Sequence, residues 1–475
     1  MAFNSLPYLI FLAAAVAVYW LLPAHLRRMF VLVVSLAFYA SWGIVFVWIP
    51  LVVAGIVYVT GKRIVADSAR ANGWKWVGIG GVLALLIFFK YRGFLLANLN
   101  HQASTFGIHS ISLATAIAFP VGISFYTFEA IGYLIDVRQG RVAMPKFLDL
   151  VLFFLFWPNI LSGPIVRARE LMPQLDFRKA FEAKFVFEGV DRVIWGLVQK
   201  NVFANLLGVW VDKVFSPSAG VPTTLDGWFL AIAFGLQIYF DFAGYTNLAI
   251  GAARLLGVTL PENFRQPYLA ATPPDFWARW HMTLSRWIRD YLFFPINAKW
   301  QGAAVPLYLS LIGVMAIVGL WHGAGWTFIL WGVLHGTYLG LYRIYEGLKR
   351  ARPALAASRP AATVWRVLTL VGIFVAWVPF RAGSLSKAGV ILGAMFMRLR
   401  GGQIYSGVFY ALTLFVVVFC ALEPVLIRVL GEWDEQEVKG ASPFRVLVRP
   451  ILYALGLLLF LMFDSNNTQF IYSQF

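Results

Sequence analysis

Long apolar runs separated by short polar interruptions set the pattern of this chain. Tyr8 to Leu22, Val77 to Phe89, Ala411 to Leu422 and Ile451 to Met462 each read as a membrane span or the core of one. Runs near the ~20 residues that cross ~30 Å of hydrocarbon predict an all-α, polytopic transmembrane helix bundle of about 11 to 12 spans. The region around residues 240 to 300 is ambiguous and leaves room for re-entrant or interfacial helices. No fixed-period repeat and no matching half-chains stand out, so residues 1–475 read as a single transmembrane domain.

The polar interruptions orient the spans. Arg27 and Arg28 follow the first run and Lys62, Arg63 and Arg70 a later one, which places those loops in the cytoplasm and the N-terminus outside. The first run has no basic residue before it and no small-residue cleavage site after it, so it reads as a retained span. Three interruptions are longer: about Arg167 to Arg192, Lys349 to Thr363, and Gly431 to Arg449. The first mixes Arg and Lys with apolar residues, as surface-lying helices do. The second is basic, punctuated by proline and cytoplasmic by the same rule. Lys439, Arg445 and Arg449 precede the last span, which sends the tail Phe463 to Phe475 to the outer face.

Composition agrees with the pattern. Of 475 residues, 60% are hydrophobic and only 13% charged, and the mean hydropathy is +0.74, which leaves too little polar surface for a water-soluble fold. The net charge of +17 comes without any nucleic-acid-binding motif. Basic loops beside anionic headgroups account for it, making membrane lipid the implied partner and nucleic acid not one. Cys420 is the only cysteine and lies in an apolar run, which rules out an intrachain disulfide and a cysteine metal cluster.

Ionisable groups inside apolar sequence are costly unless paired or functional, and three places hold them. In Gly319-Leu-Trp-His-Gly-Ala-Gly-Trp326, His322 ends an apolar run and is followed by two glycines that leave space for a substrate. Imidazole suits the deprotonation of a hydroxyl, although on spacing alone a histidine satisfied inside the bundle is the favoured reading. In Phe276 to Tyr291, aromatic and apolar side chains recur at helical spacing among Arg279, Arg286, Arg289 and Asp290. That pattern predicts one interfacial or re-entrant helix from which His281 points inward. In Leu236 to Asn247, Tyr239, Asp241 and Asn247 interrupt an apolar stretch, and Asp241 needs a partner, for which the arginines of the 279 to 289 group are candidates. His335 reads as a packing or hydrogen-bonding residue. No Gly-x-Ser-x-Gly elbow, P-loop or His-Glu-x-x-His zinc motif occurs, so any chemistry is centred on histidine.

These residues carry a resemblance to the membrane-bound O-acyltransferase (MBOAT) family, in the branch serving bacterial alginate O-acetylation. It rests on Pro120-Val-Gly-Ile-Ser-Phe-Tyr-Thr-Phe128, Ser162-Gly-Pro-Ile-Val-Arg167, Tyr239-Phe-Asp-Phe-Ala-Gly-Tyr245, Phe276-Trp-Ala-Arg-Trp-His281, Leu320-Trp-His-Gly323 and the ending Phe470-Ile-Tyr-Ser-Gln-Phe475, in that order along nearly the whole chain. Glu129 and Asn247 stand where the resemblance leads one to expect Gln and Asp.

The resemblance implies the MBOAT fold and an acetyltransferase in the bacterial inner membrane. His322 would be its catalytic residue and His281 the second polar residue, with Asp241, Tyr239, Asn247 and Trp321 lining the substrate site. It implies cytoplasmic acetyl-CoA as acyl donor, with no bound cofactor and no metal, and an acceptor arriving from outside. Tyr472, in a C-terminal Phe-x-Tyr-x-x-Phe pattern, would be an acyl relay or a docking point for a periplasmic SGNH-type acetyltransferase or a polysaccharide-modification complex. Two alternatives stay open on these grounds: a transporter or flippase of an acylated lipid or glycan precursor, and a D-alanyl-type acyltransferase.

Overall fold

The computed structural model describes residues 1–107, 119–161, 163–215, 220–298, 304–351, 359–398, 405–430 and 443–463. Among them the chain is helical and forms no strand. The first nine helices are α1 (Leu6–Leu21), α2 (Ala24–Ala40), α3 (Trp48–Ala66), α4 (Ala71–Leu86), α5 (Arg92–Thr105), α6 (Ile123–Arg138), α7 (Phe147–Leu155), α8 (Ala168–Leu171) and α9 (Ala183–Leu197). Then come α10 (Asn205–Phe215), α11 (Thr224–Leu255), α12 (Pro273–Arg279), α13 (Met282–Ile288), α14 (Phe294–Asn297) and α15 (Ala304–His322). The last are α16 (Trp326–Ala351), α17 (Arg359–Arg381), α18 (Leu385–Met397), α19 (Gly407–Leu430) and α20 (Pro443–Phe463).

Among the described residues, five helical stretches are long and apolar enough to cross a membrane: Ile44–Ala66, Ala71–Thr105, Thr224–Leu255, Ala362–Arg381 and Gly407–Val425. Shorter apolar helices at Leu6–Leu21, Leu307–His322, Leu385–Met397 and Val448–Phe463 accompany them. The protein is a multi-pass membrane protein built from helices.

Two compact units divide the chain, Met1–Gly189 with Ala249–Pro261 and Val190–Leu248 with Glu262–Phe475, so that the division falls within α9 and α11. In the first unit α3, α4 and α6 pack together. Gly78 of α4 allows the approach, since a Cβ there would lie 2.6 Å from the Thr60 hydroxyl and 2.7 Å from a Leu134 methyl. After α7 the backbone leaves the helix yet stays buried from Phe156 to Leu161. Irregular backbone is tolerated at membrane depth only where protein satisfies it. Here the Asn159 amide donates to buried Glu129 at 3.1 Å. The long interruption from Arg167 contains short α8 and the first turns of α9.

In the second unit the α15/α16 hairpin is the closest packed element. A Cβ on Gly319 would meet the Phe328 carbonyl oxygen at 2.1 Å, one on Gly332 the Met315 carbonyl oxygen at 2.1 Å, and one on Gly336 the Ile312 Cα at 2.6 Å. Backbone therefore lies against backbone, as small residues four apart permit between membrane helices. Between α9 and α10 the helix widens into a π-helical segment, Val198–Ala204, which places Gln199, Lys200 and Asn201 in the interior.

Candidate active site

The helix predicted across Phe276 to Tyr291 is two helices. It breaks between α12 and α13 at Trp280 and His281, where His281 takes a left-handed conformation (φ 41°). Such a conformation is uncommon for a residue with a side chain and is held by its surroundings. The segment after α11 supplies the groups that the break exposes. Met282 N–H donates to the Asn263 backbone carbonyl at 2.8 Å, and Arg265 N–H to the Arg279 carbonyl at 2.9 Å. Thr283 N–H and its hydroxyl both donate to the Asn263 side-chain oxygen, at 3.3 and 2.8 Å.

That arrangement fixes the ring of His281. Its Nδ1 lies 3.0 Å from Asn263 Oδ1. The oxygen is identified by the Thr283 N–H that points at it, and it only accepts, so Nδ1 carries the proton and Nε2 keeps the lone pair. His281 is fully buried, and Nε2 has no hydrogen-bond partner among the described residues. Phe242 packs edge-on against the ring with centroids 4.7 Å apart. Asn263 in turn donates to the Thr246 hydroxyl at 3.4 Å.

His322 closes α15 and is 3% exposed. Its ring stands perpendicular to Trp331 of α16 at 5.0 Å and contacts Phe380 of α17 at 5.5 Å. Trp321 touches both histidines, with ring centroids 4.8 Å from His322 and 6.2 Å from His281. The structure thus gathers His281, Trp321 and His322, three of the residues expected from sequence. Gly323 provides clearance beside them, because a Cβ there would lie 2.2 Å from the Phe328 ring.

The three candidates on α11 are held by protein groups. Asp241 pairs with Lys200, both almost fully buried, rather than with an arginine of the 279 to 289 group. Those arginines are engaged locally: Arg279 with Asp275 at 2.7 Å and Arg289 with Asp290 at 2.8 Å. The π-helical segment carries Lys200 to the α11 face beside Gly244, where a Cβ would lie 2.8 Å from the Gly196 carbonyl oxygen. Tyr239 donates to Glu423 at 3.2 Å. Asn247 accepts from Arg192 at 2.8 Å and donates to Gln199 at 2.7 Å, and Arg192 also pairs with Glu262. Tyr472 lies outside the described residues.

Sequence reasoning missed Asn263, Lys200 and Glu423. Lys200 carried a signal, a single ammonium between Trp195-Gly-Leu-Val and Val-Phe-Ala204. Asn263 carried none, for its role depends on the turn at His281.

Comparison with known proteins places this chain in a family. Residues 9–380 match the model of MBOAT, the membrane-bound O-acyltransferase family. The chain is 38% identical over 401 residues to the probable alginate O-acetylase of Azotobacter vinelandii, covering 83% of this chain and 78% of that protein. To the peptidoglycan O-acetyltransferase of Helicobacter pylori it is 32% identical over 419 residues, covering 79% and 76%. A more distant relative, the teichoic acid D-alanyltransferase of Bacillus subtilis, is 29% identical over 235 residues, 48% of this chain and 59% of the relative.

Proposed function

The chain belongs to the membrane-bound O-acyltransferase family, and on that premise we propose that it moves acetyl from cytoplasmic acetyl-CoA across the bacterial inner membrane for O-acetylation of an envelope or exported polysaccharide. Alginate-type polymers are the favoured acceptors, since the alginate O-acetylases resemble the chain over most of its length. An acyltransferase is an enzyme, which displaces the transporter alternative.

The reading rests on one observation: two buried imidazoles flank Trp321, and the ring of one is fixed through Asn263. As the acceptor hydroxyl oxygen attacks the thioester carbonyl carbon, His322 takes the hydroxyl proton. The tetrahedral intermediate then collapses, the C–S bond breaks, and the proton held on His322 passes to the departing sulfur. His281 presents a lone pair at Nε2 and so accepts a hydrogen bond from a second hydroxyl of a sugar acceptor, which leaves the proton of the attacking hydroxyl to His322. It orients the acceptor rather than stabilising the oxyanion, which needs donors. Trp321 keeps the two rings apart and apolar surface around them.

The tail extends the scheme. Tyr472 receives the acetyl group on its phenol oxygen, or docks the periplasmic SGNH-type acetyltransferase that completes transfer to the sugar. The bilayer is then a barrier that only the acetyl group crosses.

Inverted membrane vesicles from polymer-producing cells test the direction of transfer. Labelled acetyl-CoA supplied outside them is expected to yield free CoA outside and ester-bound label inside. Free CoA without label crossing, or label crossing without free CoA, would contradict the scheme.

A further inference from the structure

A cavity of about 470 Å³ lies within the first compact unit. It forms where the start of α2, the loop from α6 to α7, and α8 with the turn after it come together. Arg28, Arg141 and Arg169 line it, one from each of these segments. Met144, Pro145, Met172, Pro173 and Leu175 supply apolar walls. Apolar walls with a few convergent charges, at this size, are the form of a ligand site.

The loop from α6 to α7 is held in place. Arg141 N–H donates to the Asp136 carbonyl at 2.9 Å as α6 ends. The Tyr133 hydroxyl donates to Met144 Sδ at 3.4 Å, and a Cβ on Gly61 of α3 would lie 2.6 Å from the same sulfur. The wall at Met144 is therefore seated on two helices.

Two carboxylates, Asp149 and Asp176, also line the cavity, and protein donors occupy both. Asp149 accepts the Lys146 N–H at 3.3 Å, capping α7, and pairs with Arg28. Asp176 accepts the Arg178 N–H at 3.3 Å. Arg141 reaches buried Asp136 at 3.4 Å through one nitrogen. Arg169 is exposed and makes no ion pair among the described residues. A guanidinium carries five N–H donors, so these contacts leave most of them available. Three such groups around one cavity match the oxygens of a phosphate.

Position and lining select the ligand. Arg28 belongs to the basic turn that the positive-inside rule places in the cytoplasm, so the cavity sits at the level of the cytoplasmic headgroups. Leu26 and Met29 beside Arg28, and Phe147 and Leu148 beside Asp149, are exposed apolar side chains, a surface that acyl chains cover. A soluble phosphate has no use for the apolar walls, whereas a phospholipid brings ester and acyl carbons next to its phosphate. The ammonium of a zwitterionic headgroup would be repelled by three arginines, which favours an anionic one.

We infer that this cavity binds one anionic phospholipid of the cytoplasmic leaflet, its phosphate held by Arg28, Arg141 and Arg169 and its glycerol esters against Met172, Pro173 and Leu175. The bound lipid joins the ends of α2, α7 and α8. The inference does not depend on the acyl donor or the acceptor.

The test is native mass spectrometry of the detergent-purified full chain titrated with phosphatidylglycerol, phosphatidylcholine or glycerol 3-phosphate. Wild type is expected to hold one phosphatidylglycerol about tenfold more tightly than phosphatidylcholine and to bind glycerol 3-phosphate more weakly than either lipid. Arg141→Gln and Arg169→Gln should each weaken phosphatidylglycerol by about fivefold to tenfold and leave phosphatidylcholine unchanged. Arg169 is exposed and unpaired, so its variant keeps the test valid if loss of the Asp136 contact unfolds Arg141→Gln. Arg350→Gln, at the basic end of α16 and outside the cavity, should bind as wild type does. Wild-type phosphatidylglycerol affinity in Arg169→Gln would overturn the site, as would an equal loss in Arg350→Gln, which marks general surface charge. Equal affinity for the two lipids would overturn the anionic headgroup, and glycerol 3-phosphate bound as tightly as phosphatidylglycerol would overturn the lipid in favour of a soluble phosphate.

Discussion

Asn263 holds His281 by a hydrogen bond of 3.0 Å between its side-chain oxygen and Nδ1, across a helix break that the same asparagine caps through Met282 and Thr283. One residue therefore supports the backbone break, through its main-chain and side-chain oxygens, and sets the tautomer of a buried imidazole. A residue eighteen positions earlier in the chain (281 − 263) decides which nitrogen faces the site.

The first prediction follows. Asn263→Ala should reduce acetyl transfer about as much as His281→Ala, on the order of the tenfold to hundredfold loss seen when an outer-shell partner is removed. The double variant should be no worse than either single one. Transfer rates of the three purified variants check this, and additive losses would show that Asn263 acts elsewhere.

Lys200 and Asp241 make a separate prediction, of stability. Both are nearly inaccessible, so Lys200→Met or Asp241→Asn alone leaves a buried charge uncompensated, at a cost of about 3 to 5 kcal/mol. Membrane level and melting temperature should fall in each. Lys200→Met combined with Asp241→Leu should recover much of the loss, since apolar pairs often replace buried ion pairs without penalty. A double variant as unstable as the singles would indicate that the charges do more than offset each other.

The α15/α16 hairpin should be sensitive to single methyl groups. Gly332→Ala places a Cβ 2.1 Å from the Met315 carbonyl oxygen, whereas Gly313 on the same hairpin has nothing within 4 Å of its Cβ position. Gly332→Ala is expected to lower the melting temperature and, by shifting His322, the transfer rate. Gly313→Ala should be neutral or stabilising, because alanine is the better helix former by about 1 kcal/mol. Equal melting temperatures for the two variants would contradict the close packing.

At the tail, Tyr472→Phe separates chemistry from docking. Loss of polymer acetyl with undiminished capture of the periplasmic partner is expected of an acyl relay, and loss of both of a docking residue. Polymer acetyl equal to wild type would exclude either role.

The fold class and the histidines were legible because their signals are local. Apolar runs announce spans, and His322 stands out at the end of such a run against two glycines. The aromatic periodicity around His281 was also real, since Phe276, Trp280, Leu284 and Trp287 are all buried, but it concealed the break. A helix interrupted by one left-handed residue keeps much of its periodicity, and the hydrogen bonds that stabilise the interruption come from a distant segment. Asp241 plainly required a partner, but cationic residues look alike in sequence. Only the widened helix at Val198–Ala204 turns Lys200 inward, and an insertion of that kind leaves no pattern in residue types.

The central claim is that His322 is the base in acetyl transfer. It is tested most directly by polymer-bound acetyl in cells carrying wild type or His322→Ala, with membrane levels matched by immunoblot. The account predicts that acetyl is lost at equal protein level, because His322 ends its helix and its removal leaves the glycine contacts of the hairpin in place. Acetylation equal to wild type would contradict it.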